Sequence, residues 1–151
     1  MLVMTDADPS PLLGTSAFRL RVVGAVVTER FAAEIAGYDL KPKHVGVLAL
    51  LASAPATSQL DLARTMGVAP SLIVRIADHL ERIGAVERVR DPADRRRQAL
   101  RLTPRGTELL AACTRLSRSM ERDLLAGLSA PDRASFRTAL ARVATNLDLP
   151  S

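Results

Sequence analysis

The sequence has few of the residues that crosslink, stack or enter membranes. It contains one cysteine, no tryptophan and only 3% aromatic residues. A single cysteine cannot form an internal disulfide, so we expect a reducing compartment. The longest apolar run, residues 45–52, is too short to span a bilayer, and the start of the chain has acidic residues where a secretory signal has basic ones. These features predict a cytoplasmic protein without membrane contact.

Residues that assemble catalytic or metal centres are also scarce. The two histidines, His44 and His79, fall on different predicted helices, and there are no paired cysteines. The sequence has no H-E-x-x-H, no phosphate-binding glycine loop and no G-x-S-x-G. We therefore expect no enzyme activity, no metal and no cofactor. The few aromatic residues lie outside the basic strands, which disfavours RNA binding by base stacking.

The composition otherwise fits one globular domain of 151 residues, with 48% apolar residues and a net charge of +5. Residues 1–14 show no periodicity and predict a loose N-terminal arm. Apolar periodicity and capping residues predict six helices, which lie at 15–36, 42–53, 58–67, 70–83, from 104 onwards and from 130 to 147. Two short strands, 85–90 and 98–102, follow the fourth helix. The predicted fold is mainly α with a small β-ribbon.

The third and fourth predicted helices have the pattern of a helix-turn-helix. Apolar residues that can close a small core between two crossing helices lie at Leu62, Met66, Val68, Ile73 and Ile76. Between these helices, a glycine at position 67 can adopt the positive φ of the turn. An ordinary helical hairpin is the alternative at this point.

The predicted ribbon carries most of the excess positive charge. The 14 residues from Arg88 to Arg101 include six arginines and two aspartates, so this stretch holds four of the five net positive charges. Such a ribbon after a recognition helix is typical of a winged helix, in which guanidinium groups reach phosphates or the minor groove. A solvated charged hairpin is the alternative.

These residues resemble the MarR family of winged helix-turn-helix regulators. The resemblance lies in the stretches H-L-E-R-I-G-A-V-E-R at 79–88, D-P-A-D-R-R-R at 91–97 and L-T-P-R-G at 102–106. It implies a winged helix-turn-helix at 42–103, flanked by helical dimerisation regions at 15–36 and 104–147. It also implies a homodimer that binds double-stranded DNA at a pseudo-palindromic operator. The stripes that begin at Leu109 and Phe136 fit an intramolecular core more readily than an interface, and these helices are candidates for both.

Position along the fourth helix and the wing gives the candidate DNA contacts. The recognition-helix candidates are Ser71, Leu72, Val74, Arg75 and His79. Arg75 is the favoured base reader because a guanidinium can donate two hydrogen bonds to guanine, whereas Leu72 and Val74 can only touch thymine methyl groups. The family often has Thr or Ser at those two apolar positions. The wing and phosphate candidates are Arg88, Arg95, Arg96, Arg97 and Arg101, with Asp94 as the residue that orients an arginine.

The resemblance also implies a small aromatic or anionic effector, bound between the dimerisation helices and the winged domain. The candidate pocket residues are Arg19, Tyr38, Lys41 and His44. Some relatives sense peroxides through a cysteine, but Cys113 lies on an apolar stripe and is expected to be a buried hydrophobic residue.

The sequence thus predicts a ligand-responsive transcriptional repressor that binds DNA as a homodimer. The alternative is a winged-helix dimer that acts through protein–protein contacts without reading DNA sequence.

Overall fold

The structure is a computed structural model that describes residues 10–54 and 56–149. Its helices are α1 Ser16–Ile35, α2 Pro42–Ala52, α3 Gln59–Met66, α4 Pro70–Arg82, α5 Pro104–Leu124 and α6 Ala130–Asn146. Its strands are β1 Thr57–Ser58, β2 Val86–Arg90 and β3 Gln98–Leu102. Residues 1–9 of the predicted arm lie outside the described residues, and Pro11–Gly14 form a short 3-10 helix.

Hydroxyl side chains start several helices where the sequence predicts them. The Thr15 hydroxyl accepts a hydrogen bond from the Phe18 amide at the start of α1. Ser58 caps α3 through the amide of Asp61, and Ser129 caps α6 in the same way. Each cap satisfies an amide that has no partner within its helix. The six predicted helices are confirmed, with ends that differ by only a few residues.

The predicted two-stranded ribbon is part of a three-stranded antiparallel sheet with the order β1-β3-β2. Strand β2 pairs with β3 in a register that places Arg88 opposite Leu100. On the other edge of β3, Thr57 pairs with Leu100 and Ser58 with Ala99. Strand β1 was not predicted because a two-residue strand is too short to show the alternation by which strands are recognised.

The chain divides into two compact units, one that ends at Leu116 and one that begins at Ser117. In the first unit, a single apolar core joins α1, the helix-turn-helix and the sheet. Its fully buried side chains include Ile35, Leu48, Leu62, Ile73, Leu80, Leu100 and Cys113. These contacts fix α4 and the sheet against one common core.

The second unit contains the last turns of α5 and all of α6. Arg137 Nε on α6 donates to Glu121 Oε1 on α5 across 2.8 Å, which lowers the pKa of that carboxyl group. No residue of α6 is buried, and its apolar stripe is exposed in the single chain: Phe136 44%, Leu140 44%, Val143 38% and Leu147 63%. The Leu109 stripe enters the core at Leu109 and Cys113, whereas its last residue, Leu124, is 42% exposed and the Phe136 stripe has no buried residue. An intramolecular core is therefore not observed for α6 among the described residues, and the interface alternative stays open.

Candidate nucleic-acid interface and adjoining cleft

Helices α3 and α4 form the helix-turn-helix that the sequence predicts. Gly67 ends α3 in the left-handed conformation, with φ of 62°, and the Val68 amide donates to the Ala63 carbonyl oxygen at 3.0 Å. Ile73 and Ile76 of α4 are buried in the same core as Leu62 of α3. Burial of these side chains leaves the opposite side of α4 open to solvent.

The exposed side of α4 carries most of the predicted DNA-contacting residues. Ser71, Val74, Arg75 and Asp78 are exposed and recur at helical spacing, while Leu72 is half-buried beside them. These side chains can reach a DNA groove without any change in the core.

His79 is the exception among the predicted recognition-helix residues. Its Nε2 lies 2.6 Å from the carbonyl oxygen of Asp39, and its Nδ1 lies 2.6 Å from an Arg82 nitrogen. Because arginine has no acceptor, Arg82 donates to Nδ1 and Nε2–H donates to Asp39. The ring also stacks on His44, and the side chain is only 16% exposed. The structure therefore places His79 in a neighbouring cleft rather than among the exposed side chains of α4.

The wing turn between β2 and β3 is closed by backbone hydrogen bonds. The Asp91 amide donates to the Arg97 carbonyl oxygen, and the Arg97 amide donates to the Asp94 carbonyl oxygen, both at 2.9 Å. Asp94 Oδ1 accepts from the Arg96 amide at 3.0 Å, and Oδ2 lies 3.8 Å from Arg97 Nε. The sequence predicts that Asp94 orients an arginine of the wing. In the structure, this carboxylate holds the backbone of Arg96 and the guanidinium of Arg97.

The arginines of the sheet differ in how many of their charges are already paired. Arg88 on β2 forms ion pairs with Asp78 and Glu81 of α4. Arg101 on β3 pairs with its cross-strand neighbour Glu87 at 2.9 Å. Within the described part of the chain, no ion pair involves Arg90, Arg95 or Arg96, all of which are exposed. The wing tip thus presents the positive charge that remains for a polyanion.

A cleft of about 900 Å³ lies beside α4, between α1, the start of α2 and the α1–α2 connection. Two of the four predicted pocket residues, Lys41 and His44, line it. Tyr38 and Arg19 do not, and the Arg19 Nε instead donates to the Leu13 carbonyl oxygen at 3.3 Å. The residues that α4 itself contributes were not predicted as pocket residues, namely Leu72, Arg75, Ile76, His79 and Arg82. Their helical spacing could have indicated a shared face.

The cleft combines positive charge with a stacked pair of imidazole rings. Lys41, Lys43, Arg75 and Arg82 line it together with one carboxylate, Asp39. Burial lowers the pKa of His44 to about 4, assisted by His79 and Lys41 and opposed by Asp39. Its Nδ1 accepts a hydrogen bond from the Lys41 amide at 3.2 Å. At neutral pH the lining of the cleft therefore carries an excess of positive charge.

Cys113 is 1% exposed within the core, and burial raises the pKa of its thiol. Both observations agree with the expectation of a small buried hydrophobic residue, because a reactive cysteine needs access and a lowered pKa. Among the described residues, no helix is long and apolar enough to cross a membrane.

Comparisons with known proteins point to one family. The sequence model of the MarR family matches residues 40–97. The chain is 32% identical over 133 residues to a protein described as a transcriptional regulator for the hcr operon of Thauera aromatica, covering 87% of this chain and 80% of that protein. The structure of the repressor CouR bound to a 23-mer DNA duplex matches with a TM-score of 0.79 and 30% identity, over 93% of this chain and 99% of that one. CouR from Rhodococcus jostii RHA1 bound to p-coumaroyl-CoA matches with a TM-score of 0.74 and 27% identity, over 89% and 95% of the two chains.

Proposed function

The chain belongs to the MarR family of transcriptional regulators, and on this premise we propose that it is a homodimeric repressor that releases its operator when a ligand occupies the cleft. The observation that carries the proposal is the pairing of an exposed recognition helix, α4, with a wing tip whose Arg95 and Arg96 have no ion pair in the described residues. The proposed setting is the cytoplasm.

Attraction to the phosphate backbone comes mainly from the wing. Arg95 and Arg96 lie at its exposed tip, and Arg90 lies at the end of β2. Guanidinium groups in these positions can bind phosphates or enter the narrow, negatively charged minor groove. Each phosphate that is neutralised releases counterions, so binding weakens as the salt concentration rises. Arg97 and Arg101 remain candidates, but their existing ion pairs reduce the charge that they can offer.

Recognition of the DNA base sequence comes from the exposed side of α4. Arg75 can donate two hydrogen bonds to the O6 and N7 atoms of guanine. Val74 and Leu72 offer only apolar contact, which suits thymine methyl groups. The proposed half-site therefore contains a guanine next to thymines, and a two-fold dimer would read it twice as an inverted repeat.

Dimerisation would cover the apolar surface that a single chain leaves exposed. On α1, Leu20, Val22, Val23 and Val26 are 40–54% exposed. The stripe of α6 that begins at Phe136 is exposed to a similar degree. Apolar surface on two terminal helices is what an interface with a second copy needs, and the family resemblance points to these same helices.

Ligand control follows from residues that the cleft and the DNA-facing side share. Leu72 and Arg75 line the cleft and are also proposed to contact DNA. An anion that bound Arg75 from the cleft side would withdraw its guanidinium from the operator. It could also favour a dimer geometry whose half-site spacing no longer matches the operator, which is a shift between two populations. CouR, which has been solved with DNA and with p-coumaroyl-CoA, supports such a two-state scheme.

The proposal can be tested by titrating labelled duplexes with the protein at several salt concentrations and measuring the mass of the complex. We expect two chains per duplex and a logarithm of affinity that falls steeply and linearly with the logarithm of salt concentration. The alternative is a dimer that acts through protein contacts alone. Absence of any salt-dependent DNA binding would favour that alternative and contradict the proposal.

A further inference from the structure

The recognition helix carries two negative charges on or beside the side that is proposed to approach DNA. Asp78 lies one turn after Val74 and Arg75, and Glu81 lies three residues further on. Residues three or four apart share a face of a helix, so Asp78 belongs to the same surface as Arg75. A carboxylate in this position would repel the phosphate backbone.

Arg88 binds both of these carboxylates. One of its terminal nitrogens pairs with Asp78 Oδ1 and the other with Glu81 Oε2. Arg88 follows Val86 by two residues on β2, so the two side chains share one face of the strand, and Val86 is only 2% exposed. This placement directs Arg88 towards α4. Its side chain is 21% exposed, whereas those of Asp78 and Glu81 are 60% and 44% exposed.

The other positive charges nearby do not provide the same neutralisation. Arg101 is paired with Glu87, and the Arg82 guanidinium donates to His79 in the cleft. No other ion pair in the described residues includes Asp78 or Glu81. Loss of Arg88 would leave both carboxylates uncompensated beside the proposed DNA surface.

Resting on the proposed function, we propose that Arg88 is a positioning residue that cancels the charges of Asp78 and Glu81, so that α4 can approach DNA, and that it does not itself bind phosphate. This assignment differs from the sequence-based expectation of a phosphate contact. It also separates Arg88 from Arg95, an exposed arginine of the wing turn for which the described residues contain no ion pair.

The test uses four forms of the full chain: wild type, Arg88→Gln, Asp78→Asn/Glu81→Gln, and the triple variant with all three changes. Affinity is measured on a duplex enriched from a random pool by the wild-type protein. Thermal unfolding checks that each variant is folded. Arg95→Gln is the control for an arginine that contacts DNA directly.

We expect Arg88→Gln to lose tenfold or more in affinity and the triple variant to recover to within about threefold of wild type, because neutral amides need no counter-charge. The Asp78→Asn/Glu81→Gln variant should bind at least as tightly as wild type. The salt slope is the slope of the logarithm of affinity against the logarithm of salt concentration. The triple variant should keep the wild-type salt slope, whereas Arg95→Gln should reduce its magnitude by about 0.9.

A triple variant that binds as weakly as Arg88→Gln would overturn the inference, since the loss would then not depend on the carboxylates. An Arg88→Gln variant that binds like wild type would also overturn it. Failure of the wild-type chain to bind any duplex would instead refute the proposed function, and this inference with it.

Discussion

The imidazole ring of His79 stacks on that of His44, with ring centroids 4.5 Å apart and 26° between the ring planes. The contact joins the recognition helix α4 to the start of α2. Both Nδ1 atoms accept hydrogen bonds, from the Arg82 guanidinium and from the Lys41 amide respectively. A proton on His44 Nδ1 would displace the Lys41 amide, so this hydrogen bond favours the neutral form of His44.

The stability of the fold should depend on the protonation of His44. Its pKa is about 4 in the folded chain and near 6.5 when unfolded, so the unfolded chain binds more protons between these values. The contribution of neutral His44 is present above pH 6.5 and is lost as the pH falls to 4. At about 1.4 kcal/mol for each pKa unit, the loss is at most about 3.5 kcal/mol. Denaturant unfolding of wild type and His44→Gln between pH 4 and 6.5 measures how the free energy of unfolding depends on pH. Identical pH dependence in the two proteins would contradict the assignment.

Substitution of Gly106 should destabilise the first unit. A Cβ at this position of α5 would lie 2.0 Å from the Ala85 carbonyl oxygen and 2.9 Å from Leu102 Cδ2. The backbone of Ala85 cannot move without disturbing the Thr103 amide, which donates to the same oxygen. Gly106→Ala should lower the free energy of unfolding by about 3 kcal/mol. The exposed neighbour Glu108→Ala should change it by less than about 0.5 kcal/mol, and equal effects would show that the close contact is not present.

The fold was largely predictable because its elements carry strong local signals. Ser58, Gly67 and Pro104 mark helix ends in the sequence, and they mark them in the structure. What could not be predicted depends on contacts between distant residues. The pairing of Thr57 with Leu100 leaves no local pattern. The ion pair between Arg88 and Asp78 and the hydrogen bond between His79 and Asp39 could not be predicted either. Charge and polarity along a sequence do not show which distant residue a side chain contacts.

Removal of the wing-tip charges should weaken binding to every DNA sequence. Arg95→Ala/Arg96→Ala removes two proposed backbone contacts, so affinity should fall on specific and random duplexes alike. The salt slope should become shallower by about 1.8. Arg115→Ala/Arg118→Ala, which removes the same charge from the exposed surface of α5, is the matched control. A control that lost as much slope as the wing variant would indicate a general charge effect rather than a wing contact.

Removal of the Arg75 side chain should act on sequence preference instead. Without its two hydrogen bonds, Arg75→Ala should lose about 1–3 kcal/mol on the preferred duplex and much less on random DNA. Competition binding against single-base variants of the site should show relaxed preference at one base pair in each half-site. Equal losses on both kinds of DNA would assign Arg75 to the phosphate backbone.

A charge in the exposed stripe of α6 should prevent dimer formation. Leu140→Glu places a carboxylate among Phe136, Val143 and Leu147, where an apolar interface with a second copy is proposed. Sedimentation should show a monomer at concentrations where wild type is a dimer, and DNA affinity should fall with it. Thr138→Glu, on the opposite side of the same helix, should remain dimeric. An unchanged dimer in Leu140→Glu would place the interface elsewhere.

Selection of bound duplexes from a random double-stranded pool tests the central claim most directly. The selection is run at two salt concentrations, with Arg95→Ala/Arg96→Ala in parallel. The account predicts enrichment of an inverted repeat by the wild-type chain at both salt concentrations, and recovery of less DNA of every sequence by the variant. No enriched sequence at either salt concentration would contradict a sequence-specific DNA-binding dimer.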